Sequence, residues 1–296
     1  MKTTLIALLA LGLCLSLAGA DKRDLLPKDI PSLKALAEKG GALAQNMLGE
    51  RYFFGNGVPK DVKEALKWIR KSALQGEPWG QYNLGTFYDN GDGVLEDDKE
   101  AVKWYRKAAE QGHAEAQYNL GVMYDFGDGV LEDDKEAMKW YLKAAEQGNA
   151  KAQFRLGVMY DFGAGVLEDD KEAVKWYRKA AEQGHATAQF NLALMYDKGE
   201  GVLEDKKEAV KWYFRAVPQG HVGAQLNLGL MFAKGEGTEK DLEWAYMLWN
   251  FAAANGNATA KENKEIVTKK MTPAQITAAQ ELSKEMLKKY PKLLNK

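Results

Sequence analysis

The chain of 296 residues has one cysteine, seven prolines and three histidines. A lone cysteine cannot close an intramolecular disulfide. Cys14 sits inside an N-terminal apolar run, so the chain beyond it offers neither a thiolate nucleophile nor a cysteine metal site. Beyond residue 20, serine occurs only at Ser32, Ser72 and Ser283, none in a G-x-S-x-G or S-x-x-K setting, and H-E-x-x-H is absent. Excess charge of either sign is missing too: 41 Lys and Arg stand against 42 Asp and Glu, which gives no global attraction to nucleic acid. No segment reaches the 18 or so uninterrupted apolar residues of a membrane span. Apolar residues make up 46% of the chain, too many for a disordered one.

The N-terminus reads as an address. Lys2 precedes an apolar run from Leu5 to Leu17 and then Ala18-Gly19-Ala20, the basic, apolar and small-x-small order of a secretory signal. Cleavage is expected after Ala20, leaving a mature chain from Asp21 with no stable membrane insertion. Leu13 is not the small residue that a lipoprotein signal places before its cysteine. The expected location is the bacterial periplasm or the exterior, since no retention signal stands at Leu294-Asn295-Lys296. The alternative is a eukaryotic secretory lumen, where Asn257-Ala258-Thr259 would be a glycosylation sequon.

The rest of the chain repeats. Glycine recurs at 40, 76, 112, 148, 184, 220 and 256, a step of 36 residues. Leu48, Leu84, Leu120, Leu156, Leu192 and Leu228 keep the same step, and residues 113–148 and 149–184 differ at seven positions of 36. Such a period means stacked supersecondary units. Within one unit, Ala116, Leu120, Met123 and Tyr124 fall on one face of a first helix, helix A, and Gly127-x-Gly129 supplies the reversal. Asp133 is placed to cap a second helix, helix B, with Glu136 three residues on completing a capping-box-like pair. Helix B turns Ala137, Trp140, Tyr141, Ala144 and Ala145 inward and Lys135, Lys139 and Lys143 outward, and ends at Gln147-Gly148.

Ala116-Gln117, Leu120-Gly121, Tyr124, Gly127-x-Gly129-Val130, Asp133, Ala137, Trp140, Lys143-Ala144-Ala145 and Gln147-Gly148 together resemble the Sel1-like repeat, an antiparallel helix pair related to tetratricopeptide repeats. The resemblance spans residues 41–256, six repeats, with a capping segment at 21–40 and capping helices at 257–296. It implies an all-α, right-handed α/α superhelical solenoid that binds other proteins. That the chain is no enzyme is expected separately, from the missing catalytic motifs and from acids that recur at repeat positions instead of forming a singular pair. Some secreted members carry a cysteine pair in each repeat and are described as binding penicillin; this chain lacks those cysteines, so that property does not carry over. Repeat five departs at Ala193 and at Val217-Pro218, where the proline should truncate or kink its helix, and repeat six departs at Trp244 and Trp249.

The residues with chemistry are explained by the period. His113, His185 and His221 share one position after the capping glycine, and neighbouring repeats stand on the order of 10 Å apart, too far for shared zinc ligation at about 2 Å. Glu132-Asp133-Asp134 and its counterparts lack the ligand alternation of an EF-hand. No cofactor or metal is expected. The candidate partner-binding surface is the other side of helix A: Tyr82 and Asp89; Tyr118, Val122 and Asp125; Phe154, Val158 and Asp161; Phe190 and Asp197. These aromatics either line a groove or pack against the next repeat. Residues 77–112 and 113–148 carry net charges of −4 and −5, and residues 257–296 carry +5. That contrast suits two differently charged partners, or head-to-tail self-association, more than a small-molecule site; the expected partner is a protein or peptide, with the chain a monomer or weakly self-associating. The competing expectation is a peptidoglycan-active enzyme or its accessory subunit.

Overall fold

The computed structural model describes residues 22–294, so the expected signal segment lies outside the described residues. The described residues form fifteen α-helices and three short 3-10 turns, with no strand. In chain order they are α1 (Ile30–Glu38), α2 (Ala42–Phe54), α3 (Val62–Leu74), α4 (Pro78–Asn90), α5 (Asp98–Glu110), α6 (Ala114–Phe126), α7 (Asp134–Glu146) and α8 (Ala150–Phe162). They continue with α9 (Asp170–Glu182), α10 (Ala186–Lys198), α11 (Lys206–Ala216), α12 (Val222–Lys234), α13 (Leu242–Ala254), α14 (Ala258–Thr268) and α15 (Pro273–Lys289). From α2 to α13 the even-numbered helices are A and the odd-numbered ones B. The chain divides into two compact units, one ending at Ala144 and the other starting at Ala145. Within each, helices pair in sequence order, so this is an α/α repeat fold.

Local chemistry sets the boundaries. The backbone N–H of Glu64, Glu100, Glu136 and Glu208 donates to Oδ1 of Asp61, Asp97, Asp133 and Asp205 at 3.0 Å, satisfying an amide that would otherwise lack a partner at the start of helix B. The expected capping box stays half-built. The Glu136 carboxylate turns to Lys139, at 3.0 Å, and Glu64, Glu100, Glu172 and Glu208 likewise pair with the lysine three residues on. A reciprocal box does form at Thr272 and Gln275, at the start of α15.

Close approach of the paired helices needs the glycine of the Leu-Gly pair. A Cβ on Gly121 would lie 2.7 Å from the Tyr141 ring, and on Gly85 2.7 Å from that of Tyr105. The ring buried against the helix A backbone is therefore tyrosine: Tyr105, Tyr141, Tyr177 and Tyr213 are fully buried. The expected inward face of helix B, Trp140 with Tyr141, is observed, while the tryptophan position is fully core in only some repeats. Trp68, Trp140 and Trp212 are buried, whereas Trp104 and Trp176 are half-buried beneath Lys107 and Lys179 at about 4 Å.

Glutamines of the Ala-Gln pair tie one repeat to the next. In the first unit Gln117 Nε2 donates to the Ala109 carbonyl at 3.0 Å, and in the second Gln189 donates to that of Ala181 at 3.0 Å. Gln111 and Gln183 then donate to the side-chain oxygens of Gln81 and Gln153 at 2.7 Å. Repeat five shows why its departures are tolerated. α11 stops at Ala216 and Val217–Gln219 forms a 3-10 turn, as Pro218 requires. Gln225 Nε2 then donates to the carbonyl of Leu293 at 3.0 Å, joined by Asn255 Nδ2 at 2.8 Å, while Leu293 itself is fully buried. The end of the described chain thus completes the ladder that Pro218 interrupts. In repeat six Trp249 fills the tyrosine slot, its Nε1–H donating to the Leu226 carbonyl at 3.1 Å against Gly229.

Candidate partner-binding face

Tyr82, Asp89, Tyr118, Val122 and Asp125 in the first unit, and Phe154, Val158, Asp161, Phe190 and Asp197 in the second, are all half-buried. Each aromatic rests on its own helix B: Tyr118 lies 5.8 Å from Tyr141 and Phe154 6.0 Å from Tyr177, centroid to centroid. Three of them also stack on the first residue of the next repeat, Tyr82 on His113 at 4.7 Å, Phe154 on His185 at 4.6 Å and Phe190 on His221 at 4.4 Å. Each ring is thus packed in part and half-buried overall.

The acids have a structural partner as well. The hydroxyls of Tyr105, Tyr141 and Tyr177 donate to Oδ2 of Asp89, Asp125 and Asp161 at 2.8–2.9 Å. Burial raises the pKa of Asp89 and Asp161, and the tyrosine hydrogen bond opposes that shift. Burial also raises Tyr105 and Tyr177 well above the usual phenol range, with the neighbouring carboxylates adding to it, so both stay neutral donors. Repeat five differs. Its buried Ala193 replaces the glycine, Tyr213 accepts from Asn227 Nδ2 at 3.1 Å, and Asp197 binds Lys206 Nζ at 2.9 Å.

All three histidines cap helix A. The N–H groups of Ala116, Ala188 and Ala224 donate to Nδ1 of His113, His185 and His221 at 3.2 Å, the job Asn149 does with Oδ1 for Ala152 at 3.0 Å. An accepting Nδ1 demands a neutral ring. Burial lowers the pKa of all three, that of His113 to about 4 against the opposing pull of Glu115. Among the described residues no group of three His, Cys, Asp or Glu is placed to hold a metal ion, and no helix is long and apolar enough to cross a membrane.

Trp79 went unnoticed in the sequence. It lies at the start of α4, outside the helix B tryptophan register, 4.2 Å from the His113 ring and 6.4 Å from that of Tyr82. The signal that finds it is the period itself, because its register mates are Leu43, Glu115, Lys151, Thr187 and Gly223.

The Sel1 repeat model matches residues 42–77, 80–113, 114–149, 150–185, 186–221 and 222–257. The chain belongs to the Sel1 repeat family. A protective antigen of uropathogenic Escherichia coli displaying an SLR fold is similar to it at 36% identity and a TM-score of 0.80, over 97% of this chain and 60% of that one. A Sel1 repeat protein from Oxalobacter formigenes is 35% identical with a TM-score of 0.70, over 78% of this chain and 67% of that one. No curated protein matches the sequence. The Sel1 chain thus spans about three-fifths of the E. coli antigen's length. Sel1 repeats mediate protein–protein interaction and are in general a non-catalytic scaffold.

Proposed function

We propose that this Sel1 repeat protein is an exported scaffold that binds a protein or peptide partner on the helix A face. The observation that carries this reading is the recurring pair on that face: a half-buried aromatic, and a half-buried carboxylate already oriented by a tyrosine hydroxyl. Aromatic anchors dominate peptide interfaces, and fixed carboxylates steer a basic partner without paying for reorientation. Each unit carries its own candidate site: Tyr82, Asp89, Tyr118, Val122 and Asp125 in the first, and Phe154, Val158, Asp161, Phe190 and Asp197 in the second.

Export rests on the N-terminal segment, and the similar E. coli protein being a protective antigen is in keeping with it. The two similar proteins are bacterial, which favours an envelope or surface setting.

The test is a pair of double variants. Asp125→Asn with Asp161→Asn keeps an acceptor for each tyrosine, so the fold should hold while association slows and its salt dependence flattens. Tyr118→Ala with Phe154→Ala should weaken binding at least tenfold. A large fall in thermal stability with unchanged affinity would show that the rings are core and that recognition lies elsewhere.

A further inference from the structure

The guanidinium of Arg23 lies 3.7 Å over the Trp79 ring. That ring meets His113 edge-on at 4.2 Å, and Tyr82 stacks on the other partner of the set, the same imidazole, at 4.7 Å and 19°. Two neighbouring repeats of the first unit therefore build one aromatic corner, and a cation from residues before the first helix sits on it. We propose that Trp79, Tyr82 and His113 form a receptor for an arginine of an extended partner segment, and that Arg23 fills it in cis until such a segment displaces it. This rests on the reading that the helix A face binds peptide, and it names the side chain which the first unit reads.

Three features point to a ligand site instead of a packing accident. The corner is singular in a chain where almost everything else recurs: no other repeat has an aromatic at the Trp79 register position. His113 is 8% exposed, its Nδ1 accepts from Ala116, and its Nε2 has no hydrogen-bond partner among the described residues. A neutral ring that accepts at Nδ1 carries its proton on Nε2, so the corner holds a buried donor without a hydrogen-bond partner. Finally, the ligand class is on display. A planar guanidinium stacks on an indole face as an ammonium does not, and it is the more weakly hydrated of the two, so the corner prefers arginine to lysine. Glu115 supplies negative charge beside it, its carboxylate 3.5 Å from His113 Nδ1.

The cis segment sets an apolar anchor beside its cation. Lys22–Leu25 is a single 3-10 turn, and Leu26 packs with Leu36, Met47 and Tyr52 on the cluster of Leu33, Ala37, Ala44, Leu48 and Trp68. A tethered segment competes at an effective concentration in the millimolar range, so a partner must present more than one arginine-sized contact to displace it.

The experiment uses the full mature chain carrying Arg23→Ala and Leu26→Ala, which opens both contacts, beside the wild type and the Arg23→Ala single variant. The probe is an acetylated and amidated peptide of residues 21–29, with versions holding lysine or alanine in place of the arginine, followed by calorimetric titration. The double variant should bind the peptide at least tenfold tighter than the wild type, whose corner is occupied. Affinity should fall at least tenfold with alanine in the peptide, several-fold with lysine, and to nothing when Trp79→Ala is added. Circular dichroism and thermal unfolding check that each variant stays folded. The proposal is overturned if the opened chain does not bind, or if affinity ignores Trp79→Ala or the peptide's arginine. Asp125 and Asp161 take no part in this assay, so its failure and the failure of the scaffold reading are read separately.

Discussion

At the scale of single residues, the histidine caps make stability depend on pH. A histidine whose folded pKa is depressed adds stability above its unfolded value near 6.5, and that contribution is lost as pH falls toward the folded value. For His113 the window runs from about 6.5 down to about 4. A displacement of that size corresponds to at most about 3 kcal/mol, lost in full only below the folded value. His185 and His221 act in the same direction. Protonation would also end the cap, and at His113 it would turn Nδ1 toward the Glu115 carboxylate instead. Asp89 and Asp161 oppose this from below: their raised pKa values mean that ionisation costs stability, a cost that acid removes. Urea unfolding of the wild type should therefore show a midpoint that drops between pH 7 and pH 5. Replacing all three histidines by asparagine, which caps α8 through Asn149, should flatten that drop. An unchanged pH dependence in the triple variant would show that the caps are not its source.

At the scale of helices, the decisive contact is a ring against a backbone. Gly121→Ala places a methyl 2.7 Å from Tyr141 and should cost about 1–3 kcal/mol in denaturant unfolding. Leu293→Ala empties a fully buried site and should cost about 2–5 kcal/mol, even though it lies next to the end of the described chain. A loss under half a kcal/mol would mean that the final turn is not bound to Gln225 and Asn255 in solution. These examples also show what could be read in advance. The 36-residue step follows from the repeat itself, and the Asp caps and the capping glycines follow from local spacing, since each is satisfied within one or two turns of its own chain. The half-built capping box did not follow, because the sequence lists a glutamate and a lysine without saying which partner takes the carboxylate. Periodicity turned Trp140 and Tyr141 inward alike, but did not show that the tyrosine ring lies against the helix A backbone, which depends on the close approach that Gly121 permits. Of the candidate site, the aromatic and acidic positions were legible as a stripe. The Trp79 corner and the Leu293 clasp were not, because each is a long-range contact at a place where the repeat breaks its own rule.

At the scale of the molecule, an array in which repeats contact mainly their neighbours has stability that is roughly a sum of local terms. Damage at Gly121 or Leu293 should thus leave distant repeats folded. The same modularity gives each unit its own copy of the aromatic and carboxylate pair, beside acidic turns in repeats two and three, which carry net charges of −4 and −5. Such a surface attracts a basic partner. The scaffold account is tested most directly by affinity capture from an envelope extract, with the wild type run beside the Tyr118→Ala, Phe154→Ala double variant and a control changing Lys103 and Lys175 on the outer side of helix B. Mass spectrometry should find one protein retained by the wild type and the lysine control and lost from the helix A variant, with no turnover of purified peptidoglycan. The account is contradicted if the helix A variant retains that protein, or if the pure chain cleaves peptidoglycan and a single carboxylate substitution abolishes the cleavage.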